Sequence, residues 1–265
     1  SRKVAGSPIA GLAASLIVAS FPGHHKMLWW GAYPNLLGLA LIPVALLALL
    51  ESQMGNLRYL CLAIILGALL LTAHHLTFIV YLAILIIATL ASMVARDKKS
   101  LKANILTLAA ILALFMSYWY VAGLAYILQN PATLEPGAFA VESMFWLVES
   151  PLLLCLAVVA AIAGLAQLFF WRRFKEFTLT LGWLTVSLLL TQVYYFGISI
   201  DSERFLFSIV IPLSILTSVP LPHIRHCVKI SKVIEENPIY EVVIQLEKAL
   251  PVMLVLIVLL MTPIQ

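Results

Sequence analysis

Three polar groups interrupt a chain that is otherwise almost all apolar: His24-His25-Lys26, His74-His75, and Asp201 with Glu203 and Arg204. Tyr33, with Trp29, Trp30 and Asn35 around it, adds a fourth polar edge. The residue types suit definite chemistry. Arginine offers a planar fork of donors, and lysine a point charge, for phosphate oxygens. Imidazoles move protons near neutral pH or ligate metals. Carboxylates activate hydroxyl groups. Neighbouring residues on a helix are turned about 100° from each other, so His74 and His75 share one small site only where the backbone departs from a helix. As metal ligands they would need a third partner such as His24 or Glu142. No HExxH-like spacing supplies one, and no metal site is assigned. Each group also has an ordinary reading. The histidines suit helix ends, Trp29 and Trp30 suit an interfacial belt, and Arg204 suits pairing with Asp201 or Glu203 or snorkelling to lipid phosphate.

The elements that position these residues follow from composition. Of 265 residues, 63% are hydrophobic and 11% charged, and the mean hydropathy is +1.06. A soluble domain carries about a quarter charged residues. A helix needs roughly 20 apolar residues to cross hydrocarbon, and this chain offers such stretches repeatedly without the alternation of a barrel strand. The expected fold is all-α: one polytopic transmembrane helix bundle over 1–265. About nine spans are expected, near 5–22, 34–50, 59–73, 76–95, 104–127, 150–170, 177–197, 205–220 and 250–264. The break at Thr72-Ala73-His74-His75 divides a run too long for one helix.

Sixteen Lys and Arg residues orient the bundle. Nine alternating spans place all but Lys26 and Arg204 on one side, which the positive-inside pattern makes cytoplasmic. The loops 96–102, 171–176 and 221–249 then face the cytoplasm. The net charge of +4 reflects anchoring at the inner leaflet and not nucleic-acid binding. The multi-pass pattern excludes a signal peptide over the first span. The chain starts without Met and ends in a short apolar run, and is expected to be part of a longer membrane protein. Cys61, Cys155 and Cys227 are scattered, with neither disulfide nor metal spacing. The polar segment 221–249 includes Ser231 to Ala249, whose apolar residues recur at helical spacing, as in a helix lying on the inner leaflet. The loop 128–149 carries Phe145 and Trp146 and suits an interfacial segment. With this topology, His24, His25, Lys26, Tyr33, His74, His75, Asp201, Glu203 and Arg204 share the outer face.

Three segments carry a resemblance. Gly31-Ala-Tyr-Pro-Asn-Leu-Leu opens a span, Leu71-Thr-Ala-His-His-Leu-Thr ends one, and Glu203-Arg-Phe-Leu-Phe followed by Ile211-Pro212-Leu213 opens a later one. Over roughly 31–220 the chain resembles the C-type polytopic glycosyltransferases, including the protein mannosyltransferase-like and archaeal membrane branches. The resemblance implies an enzyme that uses a polyprenyl-phosphate-linked sugar at the outer face of the membrane. A carboxylate would activate the acceptor, and Arg204, Lys26 or a divalent cation would hold the leaving phosphate. Members of that superfamily keep an acid in the first outer loop. The loop 23–33 here has none, and no catalytic base is assigned. Membrane lipids, a lipid-linked sugar donor and other membrane subunits are the expected partners. A transporter or flippase-like protein and a non-catalytic subunit packing through Ala157, Ala160, Ala161 and Gly164 are the alternative readings.

Overall fold

Backbone donors and acceptors in hydrocarbon find no water, so an apolar chain satisfies them within itself as helix. A computed structural model describes residues 8–19, 24, 32–118, 151–191 and 203–220. The described residues form eight helices and no strands: α1 (Pro8–Ala19), α2 (Tyr33–Ser52), α3 (Leu57–Ala73), α4 (His75–Val94), α5 (Lys98–Tyr118), α6 (Pro151–Phe170), α7 (Phe174–Leu190) and α8 (Glu203–Ser218). Three of them, α2, α4 and α5, are long and apolar enough to cross a membrane. The expected ninth span, 250–264, the inner-face segment 221–249 and the loop 128–149 lie outside the described residues.

The helices group into two compact units. The larger comprises Met27–Val141 and Lys175–Ile209. Within it α2 to α5 run alternately up and down. Gly67 on α3 comes close to Tyr81 on α4, and these residues stand seven positions either side of His74, so α3 and α4 fold back antiparallel. Gly38 on α2 packs directly against the Thr77 side chain on α4, which puts the starts of α2 and α4 at the same end. At the opposite end the α2–α3 and α4–α5 junctions meet. There Gly55, at φ +94°, makes room for the Lys99 side chain. α7 lies alongside, its Gly182 against Ile87 of α4. In the smaller unit, Ser1–Lys26, Glu142–Phe174 and Val210–Gln265, Gly164 of α6 meets the backbone carbonyl of Leu216 on α8. Gly164 therefore serves a crossing within the chain, where two helix backbones touch.

Two helix junctions share one device. Arg96 N–H donates to the Met93 carbonyl (3.1 Å) and Asp97 N–H to Ser92 (3.0 Å). Arg172 and Arg173 repeat this with Phe169 (3.0 Å) and Leu168 (2.9 Å). Both are Schellman endings, which place one residue in the left-handed region. That residue is Arg96 (φ 55°) in one and Arg172 (φ 56°) in the other, where glycine is usual.

The next helix starts at once. The Asp97 carboxylate accepts from the Ser100 N–H (3.1 Å) and hydroxyl (2.7 Å), capping α5. The loop expected over 96–102 is consequently shorter than composition suggests. Lys98, Lys99 and Lys102 belong to α5, which starts six residues before the apolar run because the cap, not hydropathy, sets its first turn. Lys175 likewise stands in the first turn of α7, not in a loop over 171–176.

Candidate functional site

His74 is the hinge of the larger unit. Its backbone is extended (φ −163°, ψ 116°). Its N–H closes α3 by donating to Leu70 (3.0 Å), and its carbonyl opens α4 by accepting from Phe78 N–H (3.0 Å). The Thr77 hydroxyl also donates to that carbonyl (2.8 Å). A long contact from Thr77 N–H reaches the ring Nδ1 (3.4 Å). One residue thus satisfies orphan groups of two helices.

The same break decides the geometry of the pair. Sequence spacing turns the two imidazoles apart on a continuous helix, but His74 is not helical. Its extended backbone brings the rings into a stack, centroids 5.2 Å apart and 25° between planes. His74 is half-buried and His75 exposed. One turn below, Phe78 stacks on Phe115 of α5 (5.6 Å) and floors this end with apolar surface.

The start of α2 supplies the rest. Tyr33 is exposed at its first position. Pro34 fits the first turn, where a missing N–H costs nothing. Asn35 lies one turn before Gly38 on the buried face, at the level of His74. It is only 3% exposed, and its amide nitrogen has no hydrogen-bond partner among the described residues. A buried donor left so costs about 1–3 kcal/mol. Asn35 is thus a polar group held ready for an acceptor oxygen.

The remaining sequence candidates separate. His24 belongs to the smaller unit, where its Nδ1–H donates to the Val18 carbonyl at the end of α1 (2.9 Å). His25, Lys26 and Asp201 lie outside the described residues. Glu203 and Arg204 are described in backbone only, as the first two residues of α8. No group of three His, Cys, Asp or Glu among the described residues is placed to hold a metal ion.

Two polar clusters escaped the sequence reading. At the junction end, the Gln53 side chain donates to Asn104 (2.8 Å), which donates to the Ser92 hydroxyl (3.1 Å); all three are buried. Beside them Lys175 Nζ meets Asp97 Oδ2 (3.2 Å) and the Gln53 carbonyl (3.4 Å). Two hydrogen bonds from Ser100, aided by Lys175, lower the Asp97 pKa to about 2. Ser100, Asn104 and Thr107 at helical spacing on α5 were the available signal, because a polar stripe at the start of an apolar helix needs partners. Between α7 and α8, the Trp183 indole donates to the Ser208 hydroxyl (2.9 Å), which also meets Ser187 (3.0 Å). The acidic side chains described, Glu51, Asp97 and Glu176, all stand near helix ends at the junctions.

No protein-family model, curated protein or solved structure matches this chain.

Proposed function

We propose that the chain is a multi-pass membrane glycosyltransferase of about nine spans that draws its sugar from a polyprenyl-phosphate-linked donor at the outer face. The observation that carries this reading is the polarity of the larger unit. Every described basic side chain in it, Arg58, Arg96, Lys98, Lys99, Lys102 and Lys175, lies at the junction end. The stacked His74 and His75 and the unsatisfied Asn35 lie at the other. By the positive-inside rule the junction end is cytoplasmic and the histidine end is outside. Polar groups at that end suit a headgroup whose prenyl tail runs between helices, since ionisable groups beside hydrocarbon are costly unless used.

In this reading Arg204 holds the donor phosphate as the sugar leaves. The histidines and Asn35 orient sugar or acceptor hydroxyls, and Asp201 and Glu203 are the acidic groups nearest Arg204 in sequence. The test is transfer from a polyprenyl-phosphate-linked sugar by the purified chain. Arg204→Ala is expected to lower turnover about 10²–10³-fold, as for loss of one donor to a developing oxyanion, with helical content unchanged. Equal turnover by wild type and variant removes Arg204 from the chemistry. A wild type inert toward every such donor removes the transferase reading.

A further inference from the structure

The junction end carries an electrostatic conflict. Helices α3 and α5 both start there, and a helix start bears partial positive charge that favours acidic residues. Neither helix has an acidic residue in its first turn. Arg58 occupies that of α3, while Lys98 and Lys99 occupy that of α5, with Lys102 one turn on. Arg96 stands just before them in its left-handed position. Arg58, Arg96, Lys98 and Lys102 are exposed, and among the described residues none is paired with a carboxylate. The carboxylate between them, Asp97, is taken by Ser100 and Lys175. Exposed like charges gathered beside helix starts repel one another, and an anion from outside relieves that repulsion.

The surroundings say which anion. Met54, Leu57, Met93 and Val94 are interleaved with these cations in sequence and are 61–82% exposed. A wholly polar anion such as free phosphate would leave those side chains in water. A phospholipid covers them with acyl chain while its phosphate meets the cations, at the headgroup level where α4 ends and α5 starts.

We infer that the α2–α3 and α4–α5 junctions form a binding site for anionic phospholipid headgroups, with Arg58, Lys98 and Lys102 as the cationic contacts. This goes beyond general sidedness, because it assigns headgroup selectivity to three residues on two helix ends. It holds whether or not the chain transfers sugar.

The experiment places the purified full chain in vesicles of phosphatidylcholine and phosphatidylglycerol, re-extracts it, and counts retained lipids by mass spectrometry. Wild type is expected to retain phosphatidylglycerol above its bulk fraction. A cation near an anionic leaflet contributes about fivefold, so three together approach a hundredfold at low salt. The R58A/K98A/K102A variant is expected to lower the enrichment by at least about tenfold. The charge-conserving R58K/K98R/K102R variant is expected to keep it, and roughly 1 M salt to erase it in wild type. Retention of lipids in bulk proportion by wild type overturns the site. So does full enrichment in the alanine variant. Complete competition by millimolar inorganic phosphate assigns the site to a free anion, and capture of an acidic polypeptide without lipid preference assigns it to protein; either overturns the proposal. Should the alanine variant fail to fold, the salt dependence and the charge-conserving variant decide the question.

Discussion

Lys175 and Asp97, 78 residues apart in sequence, meet at 3.2 Å and tie the start of α7 to the junction of α4 and α5. The carboxylate is also the cap of α5, and the Asp97 N–H closes α4, so one residue joins three helices.

Its titration gives a first expectation. The pKa is lowered from 3.8 to about 2, mainly by the two Ser100 hydrogen bonds. A lowered carboxylate pKa contributes stability that is present above the ordinary value and lost as pH falls toward the folded one. Thermal unfolding in detergent should therefore weaken between about pH 4 and pH 2. Asp97→Asn should remove this dependence at a cost of about 1 kcal/mol or less, since the pair is about one third exposed and water screens it. An unchanged acid profile in the variant would show that other carboxylates govern it.

Arg96 and Arg172 hold the left-handed position that glycine adopts freely. A side chain there costs roughly 1–2 kcal/mol. Arg96→Gly, and separately Arg172→Gly, should raise stability by about 0.5–1 kcal/mol after the entropy of the unfolded glycine is counted. Arg96→Val should lower it, because a β-branched residue resists positive φ. Parallel melting curves of the three variants against wild type provide the comparison.

The Gly38–Thr77 contact admits no Cβ without movement, because the Thr77 Cβ and both its branches stand in the way. Gly38→Ala should cost about 1–3 kcal/mol. Adding Thr77→Ala should restore part of that loss, and a double-mutant cycle reads the coupling. Strict additivity would mean that α2 and α4 do not meet there.

Asn35 carries the cost of a buried donor without a partner among the described residues. Asn35→Leu should raise the melting temperature by a few degrees, since an apolar isostere removes the unsatisfied donor. If the amide serves a bound oxygen, the same variant should lose transfer activity, a gain in stability at the expense of function. A variant both less stable and fully active would assign Asn35 to packing alone.

The helices were legible because hydrocarbon demands long apolar runs. The expected 76–95 is α4 at His75–Val94, and 150–170 is α6 at Pro151–Phe170. The split at His74 showed as polarity inside a run too long for one helix. The start of α5 did not show, because lysines on its first turns look like a loop until Asp97 is known to cap them. Charge showed where the junctions of the larger unit lie, since Arg58, Arg96, Lys98, Lys99, Lys102 and Lys175 all stand there. The Gln53–Asn104 and Lys175–Asp97 pairs were not, since their partners are tens of residues away. Nor was the stacking of His74 on His75, which depends on one backbone angle.

The hydroxyl of Ser208 has a consequence for Arg204. Apolar helices in lipid slide and rotate past one another at little cost. The Trp183 and Ser187 bonds stop both motions for this part of α8. Arg204 stands one turn, about 6 Å, before Ser208 along the helix axis. A serine therefore fixes the axial position of the arginine backbone against α7, and moving that hydroxyl by one residue would shift the arginine along the helix axis without touching it.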